Sequence, residues 1–166
     1  MDKPQFVYVP YISTTPEKLW NALMDGEMTK QYWGCHENVS DWKVGSTWKH
    51  QDYDDPGIVD IVGKVVESTP PRRLVLTWAF PADAAIEAKH SRVAFEIEPF
   101  FDAVRLTVTH NELEPDCEML HGITQGWPAV LSSLKTLLET GRSMPMMTRR
   151  WGGPPACALS KRSSGS

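Results

Sequence analysis

Residues 117–141 read CEMLHGITQGWPAVLSSLKTLLETG, and the fold is decided by this stretch. Leu120, Ile123, Trp127, Val130, Leu131, Leu134, Leu137 and Leu138 recur at helical spacing, so they form one apolar stripe along a long amphipathic helix over about 117–140. Gly141 supplies the conformational freedom that a helix uses just past its last turn. Pro128, two residues after Gly126, brings no amide to an interior turn, so a kink or a fresh helical start is expected there. A stripe of this length needs a wide apolar surface to cover it.

The preceding sequence supplies that surface. From Glu37 onward, short β-rich runs alternate with turn residues, the pattern of an antiparallel meander. Strands are expected near 37–42, 46–52, 58–67, 72–80, 90–98 and 103–112. Val44-Gly45, Asp54-Asp55-Pro56-Gly57 and Thr69-Pro70-Pro71-Arg72 mark turns between them. In the last run Val104, Leu106 and Val108 alternate with Arg105, Thr107 and Thr109, which predicts one covered and one wet face.

Further back, Phe6 to Ile12 reads as a strand with both faces apolar enough to bury. Ser13-Thr14-Thr15-Pro16-Glu17 then stops the strand and starts a helix, with a hydroxyl cap before proline at the first helical position. Leu19, Trp20 and Leu23 form its buried stripe; Gly26 is expected to end it, with a second short helix over about 27–32. Segregated helices and strands predict an α+β fold, not a parallel sheet. The architecture expected is a helix grip: a curved antiparallel sheet of six or seven strands wrapped around the long C-terminal helix, with two short helices after the first strand. A curled sheet cannot touch a straight helix everywhere, so an apolar gap is expected at one end.

Composition sets the remaining bounds. A chain of 166 residues suits one domain, read as 1–141, followed by a Gly-, Pro-, Arg- and Ser-rich tail over 142–166 that lacks periodicity and is expected to be flexible. Seven tryptophans supply large rings for a core or a cavity wall. A net charge of −4 argues against a nucleic-acid partner, and no run of about twenty apolar residues suggests a membrane one. Cys35, Cys117 and Cys157 are odd in number and scattered, and the N-terminus carries no secretory pattern, so a reducing, cytoplasmic setting is expected.

The strand alternation nominates a ligand site. Trp48 and His50 share one face of their strand; Leu76, Trp78 and Phe80 share another. Val93 faces with Phe95, and Val108 with His110. If these faces are concave they meet Trp127 and Leu131 of the helix, with Trp33 after the second short helix and Thr124 as a further polar handle. Apolar walls with a few placed polar groups are the usual build of a small-molecule site. The same residues would serve equally as a filled core, and Trp48 and His50 as an exposed strand face. His50 and His110 are the candidate catalytic acid or base, although such imidazoles more often satisfy a structural hydrogen bond. Asp52, Asp54 and Asp55 read as a turn cluster. Cys117 and His121 lie one helical turn apart and Cys35 adjoins His36, but no second ligand pair stands at zinc spacing, so no metal is expected. The sequence carries no Gly-rich phosphate loop, no Gly-x-Ser-x-Gly elbow and no His-Glu-x-x-His, so no cofactor is implied.

Five segments carry a family resemblance: Ser13-Thr14-Thr15-Pro16-Glu17-Lys18-Leu19-Trp20, Tyr32-Trp33-Gly34, Leu76-Thr77-Trp78, Val108-Thr109-His110, and Gly126-Trp127-Pro128 leading into Leu131, Leu134, Leu137, Leu138, Glu139 and Gly141. Over about residues 5–141 the chain resembles the START-like (SRPBCC, birch-pollen-allergen-like) superfamily, and within it the bacterial homologues of the activator of heat-shock protein 90 ATPase. The resemblance implies the helix-grip fold and a hydrophobic cavity. It implies no single activity, since members include binding proteins, aromatic-polyketide cyclases, resistance proteins and a chaperone-activating domain. Three functions follow as expectations: binding of a small hydrophobic, aromatic ligand; a cyclase, dehydratase or hydrolase acting on an aromatic or polyketide-like substrate; and a chaperone ATPase co-factor. Homodimerisation through an exposed strand or the 33–48 region is open.

Overall fold

The computed structural model describes residues 2–149. In chain order these form β1 (Phe6–Tyr8), β2 (Tyr11–Ile12), α1 (Pro16–Met24), α2 (Gly26–Tyr32), β3 (His36–Val39), β4 (Thr47–Asp52), β5 (Val59–Thr69), β6 (Arg73–Trp78), β7 (Ser91–Phe100), β8 (Ala103–Asn111) and α3 (Glu118–Thr140). All pairings are antiparallel, in the order β1-β8-β7-β6-β5-β4-β3, with β2 also on β8. This is the helix grip expected, with α3 laid across the sheet.

The opening strand breaks in two because Pro10 has no amide to give to the ladder. Its carbonyl still accepts from Leu106 N at 3.0 Å, so both pieces stay on β8. The expectation that both faces of this strand bury is corrected: Val7, Val9 and Tyr11 remain 41–46% exposed. Thr15 caps α1 as anticipated, accepting the Lys18 amide at 3.2 Å. Gly26 does not end that helix. Asp25 closes α1 and caps α2 through its carboxylate, 3.0 Å from the Glu27 amide, leaving Gly26 inside α2. A side chain at Gly26 would meet Glu37 Oε1 at 2.8 Å, so the flexible Glu37 carboxylate would have to move aside.

Two irregularities bend the sheet: the register slips between His50 and Gln51 in β4, and between Val65 and Glu67 in β5. Bulges of this kind increase local twist, and the first falls at the cavity end of β4, beside His50. Gly63 of β5 sits where no larger residue fits. A Cβ there would lie 1.9 Å from Thr77 O and 2.5 Å from Trp48 Nε1. Its absence lets the Trp48 indole cross β5 and donate to Thr77 O at 2.9 Å.

The helix α3 runs through Pro128 as one element, so of the kink or fresh start expected there, the fresh start does not occur. Cys117 Sγ accepts the Leu120 amide at its start, and Gly141 ends it at φ 80°. Ile123, Gly126, Trp127, Val130, Leu131, Leu134 and Leu137 are its buried stripe. They join Leu74, Leu76, Phe95, Ile97, Leu106 and Val108 of the sheet in one continuous core. No helix among the described residues is long and apolar enough to cross a membrane.

Part of the segment expected to be a tail folds back. Residues 145–148 make a 3-10 turn, and Met147 is fully buried. Its carbonyl accepts the Gly34 amide at 2.9 Å, and the Met144 amide reaches Ser133 Oγ at 3.2 Å. The remainder of that tail, including Cys157, lies outside the described residues.

Candidate functional site

At the bent end of the sheet the first half of α3 stands off the strands and leaves a cavity of about 530 Å³. That is within the roughly 300–1,000 Å³ of small-molecule sites. Trp33 lines it from the link after α2, Trp78 from the end of β6 and Trp127 from the middle of α3. Their rings touch: Trp33 stacks on Trp78 at 6.3 Å, and Trp127 meets Trp33 at 5.5 Å and Trp78 at 5.4 Å. Ile58 and Ile61 extend the apolar lining along the β5 side, and Met119, Ile123 and Val130 do so along α3. Phe80 stands at the turn after β6.

One end of this chamber is polar. The β3–β4 register sets Asn38 beside His50 and His36 beside Asp52. Gly34 and Cys35 both take positive φ, 59° and 65°, which turns the chain so that β3 begins at His36. The His36 ring lies between two acceptors: Nε2 is 2.5 Å from Asp60 Oδ2 and Nδ1 is 2.8 Å from Gly34 O. Neither acceptor carries a proton to share, so both ring nitrogens donate and His36 is an imidazolium. Burial opposes that charge, but the Asp60 hydrogen bond, the Gly34 carbonyl and the Asp60 and Asp52 charges outweigh it and raise its pKa. The same hydrogen bond lowers the pKa of Asp60.

His50 is the opposite case. Its ring stacks on His36 at 4.6 Å and 12°, and lies 5.0 Å from Trp33. Burial, reinforced by the neighbouring cation, pushes its pKa down to about 3, so it is neutral. Nδ1 is 2.7 Å from Asn38 Oδ1, an acceptor, and therefore carries the ring proton. The ring's other nitrogen is left as an acceptor. Asp52, buried at the same end, turns one oxygen onto the amides of Asp54 and Asp55 at 2.9 Å each, which makes it the turn residue the sequence suggests.

Of the residues nominated from sequence, Trp33, His50, Trp78, Phe80 and Trp127 come together around the cavity. Trp48 lies behind Trp78, ring centroids 4.9 Å apart, and is buried, not exposed on a strand face. Phe95 meets Trp127 edge-on at 5.8 Å, and Val108 and Leu131 belong to the solid core beneath. Thr124 faces outward, its hydroxyl donating to Leu120 O at 2.7 Å, and offers nothing to the interior.

His110 has no nitrogen to spare. Nδ1 accepts from Trp127 Nε1 at 3.1 Å; Nε2 donates to Ser91 Oγ at 2.8 Å, and Ser91 donates in turn to Trp78 O at 2.9 Å. The ring is fully buried and burial lowers its pKa to about 3. This is a structural relay between helix and sheet. Trp78 itself presents an indole N–H with no acceptor among the described residues.

Sequence reasoning misses His36, Asp60 and the aliphatic lining of β5 and α3. Asp60 did leave a signal, as a lone acid in an otherwise apolar run from Ile58 to Val62. His36 gave only its adjacency to Cys35. The thiol of Cys35 is buried beside Tyr53, and His121 pairs with Asp116 at 2.7 Å. Among the described residues no group of three or more metal-binding side chains assembles.

A family model described as activator of Hsp90 ATPase homolog 1-like protein matches residues 13–139. The solution structure of the Aha1 dimer from Colwellia psychrerythraea is similar, with TM-score 0.67, 22% identity, and coverage of 84% of this chain and 99% of that one. An Hsp90 activator from Plasmodium falciparum gives TM-score 0.66 at 23% identity over 81% of this chain and 95% of that one. CalU16 from Micromonospora echinospora gives 0.65 at 18% identity over 84% and 78%. At these identities the likeness speaks for the fold. No curated protein matches the sequence.

Proposed function

The chain belongs to the family of activator of Hsp90 ATPase homolog 1-like proteins, and from that premise we propose that it binds a small hydrophobic, aromatic molecule in the cavity under α3. The observation that carries this reading is the three-indole wall of Trp33, Trp78 and Trp127 around about 530 Å³ of space. Flat aromatic ligands gain from burial against such rings, at about 25 cal/mol for each Å² of apolar surface removed from water. The function is capture, for sequestration, sensing or transport. Turnover finds less support, because a His50 or His110 with a pKa near 3 is a weak proton acceptor at neutral pH.

Titration with a panel of flat aromatic compounds, read by tryptophan fluorescence, tests the proposal. Saturable quenching is expected, and it should be lost in Trp78→Ala and Trp127→Ala variants that keep native circular dichroism. Native mass spectrometry of protein purified from its host would identify a ligand carried through purification. No saturable quenching by any compound, with no co-purifying mass, would refute the reading.

A second reading is favoured by the family description and by the Plasmodium falciparum neighbour: stimulation of an Hsp90-type ATPase. An ATPase assay with the chaperone from the same cell decides it. The Colwellia neighbour is a dimer, so a homodimer is part of the proposal and light scattering tests it.

A further inference from the structure

We propose that the ligand is an uncharged aromatic hydroxyl compound, a phenol or naphthol, whose O–H donates to Nε2 of His50; this rests on the cavity being a binding site. Three observations converge on it. His50 is 7% exposed, lines the cavity, and makes its one hydrogen bond through Nδ1 to Asn38. Nε2 is thus an acceptor open to the cavity with no hydrogen-bond partner among the described residues, the kind of group that a ligand donor satisfies at a gain.

The second observation is charge. Asp52, Asp60 and Glu118 line the cavity, and among the described residues no lysine or arginine does. The one cation among the described lining residues, His36, spends both nitrogens on Asp60 and Gly34. A carboxylate or phosphate on the ligand would meet carboxylates and find no free counter-charge. The third is shape: the acceptor adjoins the ring wall, with His50 and Trp33 only 5.0 Å apart, so the donor has to sit directly on the aromatic ring. Because burial keeps His50 neutral, the acceptor persists at every pH at which the fold is stable.

Calorimetric titration of the full chain with naphthalene, naphthol, methoxynaphthalene and naphthoate tests this. Naphthol is expected to bind roughly ten-fold tighter than its methyl ether, the worth of one good hydrogen bond, with naphthoate weakest. In His50→Leu the naphthol preference should vanish while naphthalene binding is kept. Equal affinity for naphthol and ether in the unmodified protein would overturn the inference and leave the binding reading intact. No binding by any of the four would overturn both. A check that needs no substitution is heteronuclear NMR of the His50 ring: an Nδ1–H tautomer is expected, with Nε2 shifting on addition of naphthol and not of the ether. A protonated Nε2 would overturn the inference.

Discussion

Trp127 on α3 donates its indole N–H to Nδ1 of His110 on β8 at 3.1 Å, so the long helix is pinned to the sheet by a polar bond inside an apolar core. The Ser91 hydroxyl completes the relay. Substituting His110→Phe strands the indole donor and takes away the Ser91 hydroxyl's hydrogen-bond donor, and should cost about 2–4 kcal/mol. Ser91→Ala should cost only about 1 kcal/mol. Urea unfolding of both variants checks the ranking; equal costs would mean that the relay is not the source.

Stability should peak near pH 6.5. His50 and His110 have folded pKa values of about 3, below the 6.5 of a free imidazole, so the unfolded chain binds more protons between those limits. Stability therefore falls as pH drops below about 6.5, by up to roughly 1.4 kcal/mol per pH unit for each ring. His36 acts in the other direction. Its pKa is raised, so its contribution is complete below 6.5 and is lost as pH rises through the folded value. Urea midpoints from about pH 4 to about pH 9 map both limbs. A flat acid limb would contradict the neutral buried rings.

Two glycines should respond with opposite signs. Gly63→Ala forces backbone apart, because the new methyl would lie 1.9 Å from Thr77 O, and a loss of about 2–3 kcal/mol is expected. Gly122 faces the cavity with nothing within 4 Å of a Cβ. Gly122→Leu should raise helix stability by about 0.8 kcal/mol while its side chain fills the space a ligand would use. Thermal melts paired with fluorescence titration read both effects: a firmer fold and weaker quenching.

The turn after α3 should behave as part of the domain. Met147 is fully buried, and Met147→Ala should cost about 2–4 kcal/mol. Its neighbour Met146, 45% exposed, should tolerate alanine within about 0.5 kcal/mol. Chemical denaturation of the two variants makes the comparison.

The fold was legible because its signals are periodic. The stripe from Leu120 to Leu138, the alternation of β8 and the Thr15–Pro16 cap each report one element without knowledge of its neighbours. The aromatic half of the site was legible for the same reason, since the strand period puts Trp48 with His50 and Trp78 with Phe80. What alternation cannot supply is depth. Trp48, Phe95, Val108 and Leu131 share faces with cavity residues, yet they pack solid, because whether the helix touches the sheet at a given point depends on the curvature of the assembled sheet. Thr124 was misassigned by less than half a helical turn. The His36–Asp60 pair was hidden because it joins β3 to β5 across β4, a relationship created only by the strand order.

That strand order leaves the sheet open, with β1 and β3 as its two rims, three and four residues long. Pro10 interrupts the first rim, and the second is over before a foreign strand could engage more than a couple of its amides. Neither border offers a template on which chains could stack and propagate. Concentrated solutions of the protein should accordingly stay dispersed and resist conversion into fibrils.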